Sequence, residues 1–183
     1  MDDLTLLEGV LAKTGEVIDG VGDDQWDRPT PCPDYDVDAL VRHLLGWIQV
    51  FASASNGTRF AGDPGAAERG ETPGDDFRAS ASRLVAGWRD GGVDRDVPML
   101  GGDTPGAMVL NMTLIEYLGH GWDLAAATGQ PTDLDGRLAE HVLGFAEHAL
   151  SPDMRGPSIA APLPVAGDAP VTHRLVAFLG RQP

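Results

Sequence analysis

Two side chains common in soluble domains are almost missing from this 183-residue chain, which has one cysteine, Cys32, and one lysine, Lys13. A single cysteine excludes an internal disulfide and any paired-cysteine metal site. The 13 basic residues are therefore nearly all arginine and face 28 acidic ones, for a net charge of -15. Such a surface repels phosphate backbones and anionic lipid, so neither nucleic acid nor a membrane surface is an expected partner. No apolar run approaches the roughly 18 residues needed to cross a bilayer. The opening Met1-Asp2-Asp3 lacks the basic-then-apolar pattern of a signal peptide, so a soluble cytoplasmic protein is expected. There is no glycine-rich phosphate loop after a strand, no Gly-x-Ser-x-Gly and no internal repeat.

What is present is helical periodicity. Leu4, Leu7, Val10, Leu11 and Val17 predict a first helix from Asp2 to Ile18, stopped at Gly20. Asp27 to Asp36 holds three prolines in five residues and reads as a stiff extended lead-in, after which Asp34 or Asp36 can cap the next helix. That second helix, about Val37 to Ala54, carries a core stripe of Val37, Leu40, Val41, Leu44, Leu45, Ile48 and Phe51, with His43 and Trp47 on its flank. Asn56 to Gly74 reads as a mobile surface loop with little to bury. A third helix runs from Pro73 to Gly91-Gly92, a short extended excursion spans Val93 to Thr104, a fourth helix runs from Pro105 to Thr128, and a fifth from about Leu134 to Leu150. A proline-rich strap from Ser151 then leads to a short helix at Val171 to Leu179. One domain is expected, with the bundle over about residues 2–150 and the strap and short helix over 151–183.

The fourth helix carries the chemistry. Leu110, Leu114, Leu118, Gly121 and Ala125 cluster on one side of its wheel; within about 80° on the other side fall Thr113, Glu116, His120 and Asp123, interleaved with Val109 and Met112. Valine and methionine among so few charges point to an enclosed space. Glu116 and His120, four residues apart, project from one face and can reach a single divalent ion, or else only hydrogen bond. A catalytic zinc-type site usually takes three protein ligands and keeps one open position, and His43 on the second helix is the third candidate. Asp123 reads as a buried structural carboxylate or as the acceptor that orients His120, with direct ligation the alternative. Trp47 and Trp122 read as core aromatics that can border a pocket, and Cys32 as a small buried hydrophobe.

Two motifs and the tail resemble a known family. Thr30-Pro-Cys-Pro-Asp-Tyr-Asp-Val37 leading into Asp38-Ala-Leu-Val-Arg-His-Leu-Leu-Gly46, then Glu116-Tyr-Leu-Gly-His-Gly-Trp-Asp-Leu-Ala-Ala-Ala-Thr-Gly-Gln130, and the closing 168–181 segment are similar to actinobacterial metal-binding proteins of the DinB-like superfamily. Those proteins are related to the mycothiol-dependent maleylpyruvate isomerase. The resemblance implies an all-α, DinB-like four-helix bundle, and a metal site formed here by His43, Glu116 and His120. It also implies zinc first, with nickel or iron as second choices, and a low-molecular-weight thiol of the mycothiol type activated for transfer or isomerisation of a small electrophile. Thiol and small-molecule substrate are the expected partners, and an exposed bundle face leaves room for a homodimer. A non-catalytic metal-binding or ligand-sensing protein on the same scaffold is the competing reading, because a ligand set does not carry a substrate with it.

Overall fold

Four long helices are wound by the sequence's own stop and start signals. The computed structural model describes residues 3–132, 135–156 and 159–183. Helix α1 is Asp3–Asp19, α2 is Val37–Ser55, α3 is Pro73–Gly91 and α4 is Gly106–Thr128. The Asp36 carboxylate accepts from the Ala39 amide at 2.8 Å and so caps α2. Proline opens α3, and glycine in the left-handed region closes α4, at Gly129 with φ 72°. In the bundle α1 packs on α3 and α4, and α2 packs on the same two, so α1 and α2 sit at opposite corners. Leu7, Ile18, Leu40, Leu44, Phe77, Leu84, Leu114 and Tyr117 fill the centre.

The excursion expected between α3 and α4 is a small antiparallel hairpin, with β1 at Asp96–Met99 paired to β2 at Gly102–Pro105. Helix α5 spans Gly136–Ala149 and pairs with α6, Val171–Phe178, beside the bundle rather than within it. The expected edges at Asp2 and Leu134, and Pro157 of the strap, lie outside the described residues. No helix among the described residues is long and apolar enough to cross a membrane.

The 56–74 loop is held more firmly than its composition promises. Its Phe60 and Ala67 pack against the core, the Arg69 guanidinium lies 3.9 Å from the centre of the Trp26 ring, and Arg69 pairs with Asp38 at 2.7 Å. The loop's Pro64 carbonyl passes so close to α2 that a Cβ at Gly46 would stand 2.0 Å from it, which makes glycine the residue that admits the loop.

Candidate metal centre

Packing of α2 against α4 brings together the three candidates from separate parts of the chain. His43 Nε2 lies 2.6 Å from Glu116 Oε1, and His120 Nε2 lies 3.9 Å from the same oxygen. The two imidazoles meet edge to face, with ring centroids 5.2 Å apart. His43 and Glu116 keep 18% and 23% of their side-chain surface exposed, whereas His120 keeps 6%, so the cluster is buried from below and reachable from one side.

The outer nitrogens are engaged as well. Nδ1 of His43 stands 3.0 Å from the Tyr35 hydroxyl, and Nδ1 of His120 stands 3.0 Å from Asp123 Oδ2. Asp123 is fully buried and accepts from Arg181 three times, from Nη2 to Oδ2 at 2.7 Å and from Nε to Oδ1 at 3.1 Å and to Oδ2 at 3.3 Å. Burial pushes the Asp123 carboxyl up, but the hydrogen bonds from His120 and Arg181 outweigh it and hold the group below its ordinary range. Asp123 is thus an acceptor only, so His120 donates to it from Nδ1–H and turns Nε2 toward Glu116. Glu116 behaves alike: burial pushes its carboxyl up, while the charge of His120, the hydrogen bond from His43 and the more distant Arg181 bring it below the usual value. An ionised Glu116 therefore accepts from His43 Nε2–H, and the Tyr35 hydroxyl donates to Nδ1 of that ring.

Other candidates fall elsewhere. Thr113 is buried and spends its hydroxyl on the Val109 carbonyl at 2.7 Å, one turn back along its own helix. Trp47 is half-buried, with its ring 6.3 Å from that of His43, and stacks on toward Phe51. His141 is bonded to Asn111, His148 to its own helix, and His173 is exposed. Cys32 is completely buried, as expected of a small hydrophobe. Yet its sulfur and the nearest His120 and Asp123 ligand atoms lie within 4.8 Å of one another. Burial raises its thiol pKa, so the group stays protonated beside the Asp123–Arg181 pair.

Sequence reasoning passed over Tyr35 and Arg181. Tyr35 had one signal, its place in the stiff Pro29-to-Asp36 turn; that turn is closed by a Pro29–Asp36 bridge and by Thr30 Oγ1 donating to the Tyr35 carbonyl at 2.8 Å. Arg181 had a weaker one, its place just past the glycine that ends the last helix.

The helical bundle has known counterparts. Residues 7–125 match the mycothiol maleylpyruvate isomerase N-terminal domain, and the chain belongs to that family. Two uncharacterised proteins from different strains of Mycobacterium tuberculosis are 31% identical to it over 184 residues, covering 99% of this chain and 98% of theirs. The crystal structure of the mycothiol-dependent maleylpyruvate isomerase superposes with a TM-score of 0.59 at 16% identity, over 75% of this chain and 65% of that one. A histidine-to-alanine variant of the isomerase gives 0.55 at 16%, over 67% and 59%. This chain therefore spans less than two thirds of the isomerase structures, and at that identity the likeness is one of fold.

Proposed function

We propose that His43, Glu116 and His120 hold a divalent metal ion, zinc first, and that this centre serves a small thiol of the mycothiol type. The observation that carries the reading is the aim of the two imidazoles. Both turn Nε2 to one Glu116 oxygen, and both engage Nδ1 with an outer partner, the arrangement that metal-ligating histidines adopt. Two neutral imidazoles and one carboxylate suit zinc, with nickel and iron second by the same donor set, and three protein ligands leave a position open. A metal held by these three residues would lower the pKa of a thiol or water bound at the open position and make it a nucleophile near neutral pH.

The chain's own residues divide the remaining work. His120 offers Nε2 as it stands. His43 offers Nε2 once its proton resides on Nδ1, where the Tyr35 oxygen can accept instead of donate. Buried apolar walls of α2 and α4 exclude water from below, and the exposed edges of His43 and Glu116 face the side from which a thiol arrives. The reaction we assign is attack of the activated thiol, or of water, on a small electrophile, in the cytosol, where small thiols are kept reduced. One observation favours a non-catalytic binder instead: Arg181, a cation next to the centre, is spent on Asp123 rather than turned to a substrate.

Metal analysis of the purified chain tests the site. The expected result is about one zinc per chain, lost in His120→Ala; metal content unchanged by that substitution would overturn the proposal. Cobalt-loaded protein should then develop a thiolate-to-metal charge-transfer band on addition of mycothiol, and turnover with an electrophile panel that vanishes in Glu116→Ala separates enzyme from binder.

A further inference from the structure

Arg181 is built into the molecule more elaborately than its distance from the three candidate ligands requires. Helix α6 buries Leu175, Val176 and Ala177 and stops at Gly180, whose φ of 85° only glycine adopts easily. The turn beyond is closed by the Arg181 amide donating to the Val176 carbonyl at 2.8 Å and the Gly180 amide donating to that of Ala177 at 3.0 Å, a helix-terminating motif that reverses the chain inward. Ala160 of the strap fills the space where a side chain at position 180 would lie, 2.6 Å from the ideal Cβ. Arg155 ties strap to helix by donating to the carbonyls of Ala160 and Phe178 at 2.6 and 2.9 Å. The guanidinium so delivered is 4% exposed and also donates to the Leu179 carbonyl at 2.7 Å. Leu179 lands on α4 at Gly119, next to His120: a Cβ on that glycine would sit 3.2 Å from the leucine methyl. Strap and last helix thus converge on one turn of α4, the turn that carries His120 and Asp123.

We propose that Arg181 is a positioning residue for the metal centre, and that the chain from Ala160 to Arg181, tied down by Arg155, is a latch whose docking fixes the His120 ring with Nε2 turned toward Glu116. This rests on the metal reading above only for its consequence, not for the geometry. Without the guanidinium, Asp123 is a buried carboxylate with His120 as its partner, and a carboxylate left so short of hydrogen bonds rotates or draws in water. Each of these ends its service as a fixed acceptor for Nδ1–H. The coupling runs both ways, since a ligand that binds the docked form more tightly must tighten the docking by the same factor.

The experiment combines tautomer and affinity. Long-range proton–nitrogen spectra of nitrogen-15-labelled protein should show His120 as the fixed Nδ1–H tautomer in the natural chain and as an averaged ring in Arg181→Gln. Competition with a chromogenic chelator should show zinc bound about 10- to 100-fold more weakly in that variant, with Arg181→Lys recovering part of the loss. Leu179→Ala, which loosens the latch and leaves both charges in place, should shift affinity in the same direction by less. Zinc loading should slow amide exchange at Gly180 and Arg181. A His120 tautomer that persists in Arg181→Gln, with zinc affinity within about twofold of the natural chain, or exchange at those amides that zinc leaves unchanged, would overturn the inference. If the natural chain takes up no zinc, the metal reading fails by itself, and the tautomer comparison still decides the role of Arg181.

Discussion

The two imidazoles of the centre rest on opposite kinds of support. His120 leans on a carboxylate that a guanidinium grips deep in the molecule, whereas His43 leans on a phenol carried by a proline-rich turn at its edge. A carboxylate pinned by arginine can only accept, so one imidazole is committed to a single tautomer. A phenol donates or accepts with a rotation of its hydrogen, so the other can change tautomer without any heavy atom moving. The site therefore joins a fixed half, built by α4 and the tail, to an adjustable half, built by α2 and the loop before it. A ligand that needs both Nε2 atoms finds one ready and must reset only the other.

The sharpest way to break this comparison is to attack the fixed half. Asp123→Asn leaves Arg181 as a buried charge without its counter-ion, and urea denaturation should show a loss of about 3–5 kcal/mol, the usual cost of breaking such a pair. Acid should come next. Both Glu116 and Asp123 have folded-state pKa values below their ordinary range, so the stability they contribute is complete above about pH 4, where the unfolded groups titrate, and is lost as pH falls through the depressed folded values. Urea midpoints measured from pH 7 down to about 3 should fall more steeply for the natural chain than for Glu116→Gln, which no longer has one of the two titrations.

On the adjustable half the same surgery should cost less. Tyr35→Phe removes one partly exposed hydrogen bond, worth about 1 kcal/mol in thermal or urea unfolding, and about tenfold in zinc affinity by chelator competition. A loss as large as that of Asp123→Asn would erase the distinction between the halves. The smallest effect belongs to a pair that looks equally good on distance alone: Arg89 and Glu8 approach to 2.6 Å but keep 59% and 38% of their side-chain surface exposed. Glu8→Gln should change the unfolding free energy by less than about 1 kcal/mol, because water and salt screen an exposed pair.

How much of this could be read in advance follows the same division. The stripes Leu40–Leu44–Ile48 and Leu110–Leu114–Leu118 announce the two helices, and the Glu116/His120 spacing places two candidate ligands on one face, because local periodicity is a property of one segment. His43 could be chosen because its helix offered a histidine on the flank of the apolar stripe. The chain does meet the family's expected helical bundle, with α5, α6 and the hairpin at 96–105 beside it among the described residues. Arg181 was not legible, since its partner Asp123 lies 58 residues away, and nothing local to the short helix says that its terminal turn points inward. Nor was the docking of the 56–74 loop, which depends on one missing side chain, Gly46, and one arginine laid over Trp26. Composition marks that stretch as polar, but it cannot tell that another element holds a place for it.

The Asp123–Arg181 pair also sets an order in time. During synthesis the chain acquires His43, then Glu116 and His120, and only 58 residues after Asp123 does the guanidinium that neutralises it appear. At about 5–20 residues per second, Asp123 waits roughly 3–12 s for its partner. Throughout that interval the nascent bundle has strong reason to keep the α4 turn open to water. The support of His120 is thus finished last, after His43 and Glu116 are already in the chain.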